Sequence, residues 1–285
     1  MKHYLYALGA ILCWASLPAA TGSGLKELST EELMFYSFSS AAIFLYLQDL
    51  ISLRTVKIYL PGLKVSLIGV WGIFLYHYIY YLALERAPLA EGAILATTWS
   101  FWIVVFSSLL LFKKVKVSIV VTALVGLFGA GVVIGAGKEI SFSLSHLKGY
   151  LLALLCGLIW SSFSVALSRM KVEKEPMTAF TVYAALLSAG LFGVSMPHDL
   201  PSWPALGSAV YLGCVPLGLS FFLWNRAMTG GNVVIIGFLS YLTPPLAVLL
   251  VALIHRQQVS AQVILGMTLI IAASLLGRML VSYER

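Results

Sequence analysis

The chain has 285 residues, of which 60% are hydrophobic and only 10% charged, with a mean hydropathy of +0.96 and a formal net charge of +7. A soluble domain carries about a quarter charged residues, so a soluble fold is excluded, and apolar runs that are continuous rather than alternating argue against a β-barrel. The basic excess does not call for nucleic acid, because Lys and Arg fall between the apolar runs, where they set orientation in a lipid bilayer.

About 20 apolar residues span a bilayer as a helix. On that ruler ten helices are predicted, near residues 4–23, 32–52, 61–84, 88–112, 117–136, 148–169, 177–196, 203–225, 231–254 and 260–281. The fold class is therefore an all-α integral membrane protein. The first run follows Lys2 and ends in Leu17-Pro18-Ala19-Ala20, much as a secretory leader would. Similar runs follow it and it has a later counterpart, so it is read as the first membrane helix. That helix carries Trp14 and Ser16 well within its span, with Pro18 two residues on.

The third and fourth helices hold the most unusual residues. His77 lies about two-thirds along the third, flanked by Tyr76, Tyr78, Tyr80 and Tyr81, and a short turn leads to Trp99 and Trp102 in the fourth. Phe74, His77 or Tyr78, and Tyr81 share a stripe at three-to-four spacing. Ionisable groups inside a membrane are costly unless they face a partner or a cavity. Two readings of His77 stand: a hydrogen-bonded core residue, or a cavity-facing donor that binds substrate or titrates. Gly126, Gly129, Gly131 and Gly135 in the fifth helix fit close helix packing. Trp160 and Ser162 sit in the sixth, Pro216 and Asn225 in the eighth, and Ser240, Pro244 and Pro245 in the ninth. Proline frees backbone carbonyls, which is tolerated at membrane depth where the backbone is buried or lines a cavity. Cys13, Cys156 and Cys214 show no metal spacing and read as packing residues.

With the N-terminus inside, Lys2, Arg54, Lys57, Lys64, Lys113, Lys114, Lys116, Arg169, Lys171, Lys174, Arg226, Arg278 and Arg285 fall on the cytoplasmic side. Lys26, Arg86, Lys138, Lys148 and Arg256 fall on the other. This bias supports ten spans with both termini cytoplasmic.

The chain also repeats. HYLYALGAILCWAS from His3 matches GYLLALLCGLIWSS from Gly149, which pairs Tyr4 with Tyr150, Trp14 with Trp160 and Ser16 with Ser162. Arg86-Ala87 resembles Arg226-Ala227 at a spacing of 140, which would pair Ser100 with Ser240 and Val104 with Pro244. Val117-Ser118 resembles Val259-Ser260. Residues 1–140 and 141–285 are thus expected to be two five-helix repeats. Five is odd, so the second copy enters the membrane upside down: a five-plus-five inverted repeat.

Trp14, Tyr78, Tyr81, His77, Trp99 and Trp160 are expected to line a substrate cavity, with Ser16, Ser162, Ser240 and Asn225 offering hydrogen bonds and Pro244 a free carbonyl. Aromatic walls suit a flat amphipathic ligand. No Asp or Glu falls mid-span, so ion coupling would run through His77 or be absent. No phosphate-binding loop, Gly-x-Ser-x-Gly or His-Glu-x-x-His sequence occurs, so no enzyme, no metal and no cofactor is expected. The partners expected are a small-molecule substrate and the bilayer, with the protein a monomer or homodimer. The alternative within transport is a broad-specificity drug or other metabolite exporter, proton-coupled or not, and a channel or a receptor that binds without transport is the rival class.

Trp-(Ala/Ser)-Ser in helices one and six, the Arg-Ala turns, and Ser240-Tyr241-Leu242-Thr243-Pro244 resemble the drug/metabolite transporter superfamily, specifically its EamA-type exporters. The aromatic third and fourth helices are similar to those of bacterial aromatic amino acid exporters of the YddG type. The resemblance implies a cytoplasmic-membrane exporter passing aromatic amino acids or similar compounds through a central cavity lined by both halves, by alternating access.

Overall fold

The structure is a computed structural model and describes every residue except 55, 115, 171–173, 195–199, 255, 257, 284 and 285. Lys171, His198, His255 and Arg285 therefore lie outside the described residues. Among the described residues the regular elements are helical, and ten helices are long and apolar enough to cross a membrane. They are α1 (Lys2–Gly24), α2 (Thr30–Ser52), α3 (Leu63–Arg86), α4 (Leu89–Phe112), α5 (Val117–Ile134), α6 (Leu144–Leu167), α7 (Met177–Val194), α8 (Trp203–Gly230), α9 (Val233–Leu253) and α10 (Ala261–Ser282).

Local chemistry marks their ends. Ser29 and Glu32 form a capping box that starts α2: the Ser29 hydroxyl accepts from the Glu32 amide at 3.2 Å and Glu32 Oε2 from the Ser29 amide at 2.7 Å. Asn232 Oδ1 accepts from the amides of Val234 and Ile235, which caps α9. Lys113 after α4 and Arg256 after α9 both adopt positive φ, 58° and 51°. Each left-handed non-glycine residue costs about 1–2 kcal/mol.

The helices pack across the halves in a pattern with one pseudo-twofold relation. α2 lies on α7, α4 on α9 and α5 on α10, while α1 on α8 is matched by α6 on α3. α5 and α10 meet backbone to backbone: a Cβ on Gly266 would stand 2.7 Å from the Gly129 carbonyl oxygen. Near the start of α4, Glu91 is buried and accepts from the Tyr150 hydroxyl and, at 2.8 Å, from the Ser141 amide, which ties α4 to α6.

Interruptions recur in register. α3 widens into a π-helix at Val70–Leu75 and α8 at Gly213–Leu219, around Pro216. α4 breaks between Ala96 and Trp99, and α9 between Ser240 and Thr243. Segments starting at Tyr76, Leu89, Trp99 and Val117 have counterparts starting at Ser220, Val233, Thr243 and Ala261. Each pair is separated by 144 residues, which corrects the spacing of 140 read from the Arg-Ala dipeptides. Ser240 corresponds to Ala96, and Pro244 to Ser100 rather than Val104. Arg226 corresponds to Leu82 and so lies a full turn inside the end of its helix, while Arg86 lies at the end of α3. The dipeptides misled because two common residues carry little positional information, whereas a helix break fixes register. Pro244 is the second residue of the segment Thr243–Ile254, where a missing amide hydrogen removes no helical bond.

Candidate functional site

The centre of the molecule is filled by rings from both halves. Trp14 of α1, Trp99 of α4, Trp160 of α6 and Trp224 of α8 are all at least nine-tenths buried. Trp14 stands 5.8 Å from Trp99, 5.5 Å from Trp160 and 5.0 Å from Trp224, centroid to centroid, and the first two contacts are edge-to-face. Trp99 and Trp224 close the group at 6.1 Å. Tyr76 joins Trp160 at 5.1 Å and Phe221 joins it at 5.8 Å.

Backbone interruptions surround this cluster and hold it in place. The Trp14 indole N–H donates to the carbonyl of Pro216, inside the α8 π-segment, at 3.1 Å. The Trp224 N–H donates to Ser164 at 3.0 Å. α1 itself breaks at Ser16, whose hydroxyl donates to the Cys13 carbonyl at 2.8 Å and accepts from Tyr211 at 2.9 Å. Thr97 and Thr98 turn their hydroxyls onto carbonyls of the preceding turn at the break in α4. π-segments and breaks of this kind are where helices bend, and here they flank the rings on α1, α3, α4 and α8.

His77 is buried at the rim of the cluster. Its Nδ1–H donates to the Ile73 carbonyl at 2.7 Å, and Phe38, Tyr76, Tyr81 and Phe221 surround the ring. Trp14, Trp99, Trp160, His77 and Tyr81 thus share one buried region. Tyr78 turns aside and stacks on Phe74. Ser162 sits on unbroken α6 and accepts from Trp71 at 3.1 Å. Ser240 donates to Ser100 at 2.9 Å and so fastens α9 to α4, and Pro244 lies one turn on. Asn225 belongs to a different place, bonded to Glu175 near the end of α8. Trp224 and Phe221 were missed in the sequence, although the spacing Phe221-x-x-Trp224 puts both on one helical stripe.

Toward the end of the molecule where α1 begins, a cavity of about 180 Å³ opens between the ends of α4, α6 and α8 and the start of α9. Ser107, Ser168, Arg169, Thr229 and Asn232 give it polar walls, and Leu111, Met228 and Val233 apolar ones. Ser107 and Ser168 are each eight residues past Trp99 and Trp160. The cavity therefore sits ~12 Å along the same helices from the ring cluster.

The EamA-like transporter family matches this chain twice, over residues 1–135 and 147–278. The chain is similar to the aromatic amino acid exporter YddG of Ancylobacter novellus, 31% identical over 97% of this chain and 96% of that one. It is 25% identical to the pseudopaline exporter CntI of Pseudomonas aeruginosa, over 84% and 82% of the two chains. One solved crystal structure superposes with a TM-score of 0.89 at 31% identity, covering 98% of this chain and 99% of the other. A paired five-helix architecture, a buried centre built from both halves and a family match over both halves lead to one conclusion: the chain is a ten-span membrane transporter that belongs to the EamA-like transporter family.

Proposed function

We propose that the protein exports aromatic amino acids across a cytoplasmic membrane by alternating access, with residues 1–140 and 141–285 as the two moving repeats and both termini inside. The tryptophan cluster carries this reading. Ring pairs at 4.5–7 Å are worth about 0.5–1.5 kcal/mol each beyond area burial. A substrate ring that enters between Trp14 and Trp160 replaces such contacts with equivalent ones, so opening the cluster for an aromatic guest costs little. An aliphatic guest recovers less. The similarity to YddG of Ancylobacter novellus supports the same substrate class.

The test is uptake of labelled tryptophan into liposomes containing purified protein, with phenylalanine, tyrosine and leucine as competitors. Saturable uptake blocked by the aromatic competitors and not by leucine supports the proposal. Equal block by leucine would replace it with a broader metabolite exporter, the reading that the similarity to CntI favours. Conductance without saturation would make the protein a channel.

The cavity at the end of α4, α6 and α8 fits a loading station on this route, with Arg169 facing the substrate carboxylate. Arg169 is exposed, so the effect of its loss is modest. Arg169→Ala is expected to raise KM for tryptophan ~3–10-fold with kcat little changed. Tryptamine, which lacks the carboxylate, should show no such change; an equal change for both would remove Arg169 from the route.

A further inference from the structure

The cavity at the end of α4, α6 and α8 has a polarity that its residue names do not reveal. Three hydroxyls line it, and each has committed its one proton to its own helix. Ser107 donates to the Ile103 carbonyl, Ser168 to the Val165 carbonyl at 2.7 Å, and Thr229 to the Asn225 carbonyl at 2.7 Å. A serine or threonine hydroxyl has one proton to donate and two lone pairs that accept. Only lone pairs are left on these three. Ser107 is the most enclosed of them, at 5% exposure.

The backbone adds the same sign. Leu110 and Leu111 lie in the last turn of α4, Ser168 directly follows α6, and Met228 and Thr229 lie in the last turn of α8. Three helix C-termini therefore converge on one space. The last four carbonyls of a helix lack an intrahelical amide partner, and such an end carries about half a negative charge. The start of α9 faces the same space, but its amides at Val234 and Ile235 are already bonded to Asn232 Oδ1. The positive group in the wall is Arg169, which is exposed.

We propose that this cavity is an ammonium site: Ser107, Ser168, Thr229 and the three helix ends hold a primary ammonium group, so the protein exports aromatic primary amines as well as amino acids and rejects aromatic acids that lack the ammonium. The inference rests on the reading of the cavity as the loading station of the route.

An ammonium has three donors and no acceptor, which suits three hydroxyls that offer only lone pairs. A carboxylate has no proton to give them and is repelled by the helix ends. Arg169 alone holds it weakly, because an exposed ion pair gains little. An amino acid satisfies both sets, with its ammonium on the hydroxyls and its carboxylate toward Arg169. An amine gives up only the weaker contact. The corresponding positions at the opposite end do not repeat the arrangement. At the spacing of 144, Val251 stands for Ser107 and Glu85 for Thr229, and the Trp14–Trp160 match puts Gly22 in place of Ser168. Glu85 is itself bonded to Thr30 at 2.9 Å. Ammonium recognition therefore belongs to the loading end.

The site is tested first without any aromatic ring, so that its failure is distinguishable from failure of the aromatic amino acid proposal. Val233 is half-buried and lines the cavity. The probe is Val233→Cys, with Cys13, Cys156 and Cys214 changed to alanine, in nanodiscs at pH 7 and constant ionic strength. The rate of labelling by a neutral methanethiosulfonate reagent is measured against butylammonium and against butyrate. Butylammonium should slow labelling and butyrate should not. Adding Ser168→Ala and Thr229→Val should raise the half-protecting butylammonium concentration roughly tenfold or more, while Thr229→Ser, which keeps the hydroxyl, should leave it unchanged. Equal protection by butyrate, no protection by butylammonium, or a folded double variant with unchanged protection overturns the ammonium site, whether or not tryptophan is transported. The second measurement is uptake of labelled tryptamine into liposomes. It should saturate and be blocked by tryptophan but not by indole-3-propionate. Absent tryptamine uptake in protein that transports tryptophan, or equal block by indole-3-propionate, overturns the extension to amines.

Discussion

Gly213→Ala is expected to leave almost no folded protein in detergent. Gly213 opens the π-segment of α8, and α2 crosses it there. A Cβ at this position would stand 2.2 Å from the Ser37 carbonyl oxygen, 2.6 Å from Ser40 Cβ and 3.0 Å from the Ala41 amide nitrogen. None of these atoms belongs to the far end of a flexible side chain, so the overlap is relieved only by moving α2 and α8 apart. That separation strips contacts from Ser37, which is fully buried, and from the α8 segment that accepts the Trp14 hydrogen bond. Overpacking of this kind costs about 1–3 kcal/mol or more even where side chains can adjust. Gly190→Ala in α7 is the control: its Cβ meets nothing within 4 Å, and it should be neutral or stabilise by up to ~1 kcal/mol. Comparing the thermal stability of the two variants by size-exclusion recovery after heating checks the claim. Equal recovery would show that α2 and α8 are not in contact at Gly213.

Trp160→Ala is expected to cut tryptophan uptake at least tenfold. Trp160 touches Trp14 at 5.5 Å, Tyr76 at 5.1 Å, Phe163 at 5.5 Å and Phe221 at 5.8 Å. A buried Trp→Ala costs about 3–5 kcal/mol in stability, so loss of uptake alone would not separate site from scaffold. Trp160→Phe separates them. It keeps a ring against Trp14 and most of the packing, so it should fold nearly as well as the parent. If Trp160 faces the substrate, the Phe variant should still transport but with an altered preference between tryptophan and phenylalanine. Folded Trp160→Phe protein with unchanged kinetics and preference would place Trp160 in the scaffold and move the substrate elsewhere.

Much of this arrangement is legible in the residues alone. Apolar length set the ten helices, because a bilayer core admits few other spanning structures. The Trp14 and Trp160 match placed the two rings that do meet at the centre. Other parts were not legible, for identifiable reasons. The spacing between the halves was misread because it rested on Arg-Ala, while the true marks, the breaks after Ala96 and Ser240, appear only once backbone bonds are traced. His77 was visible, but its tie to Ile73 depends on the widened turn at Val70–Leu75. Asn225 was picked for the cavity and instead meets Glu175.

The sequence by itself determined that this is a membrane protein of ten helices in two related halves with an aromatic centre. Hydropathy and ring content are properties of a segment and need no neighbour to be read. Tertiary structure alone decided which groups lost their water. Glu175 stands between Lys174 and Pro176 in what reads as a solvated connection, yet the end of α8 covers it and Asp49 arrives from α2. Burial and electrostatic partners come from residues far apart in the chain, 129 positions for Thr178 and Asp49 and 223 for His3 and Arg226, and a linear pattern does not encode how such segments will be brought together.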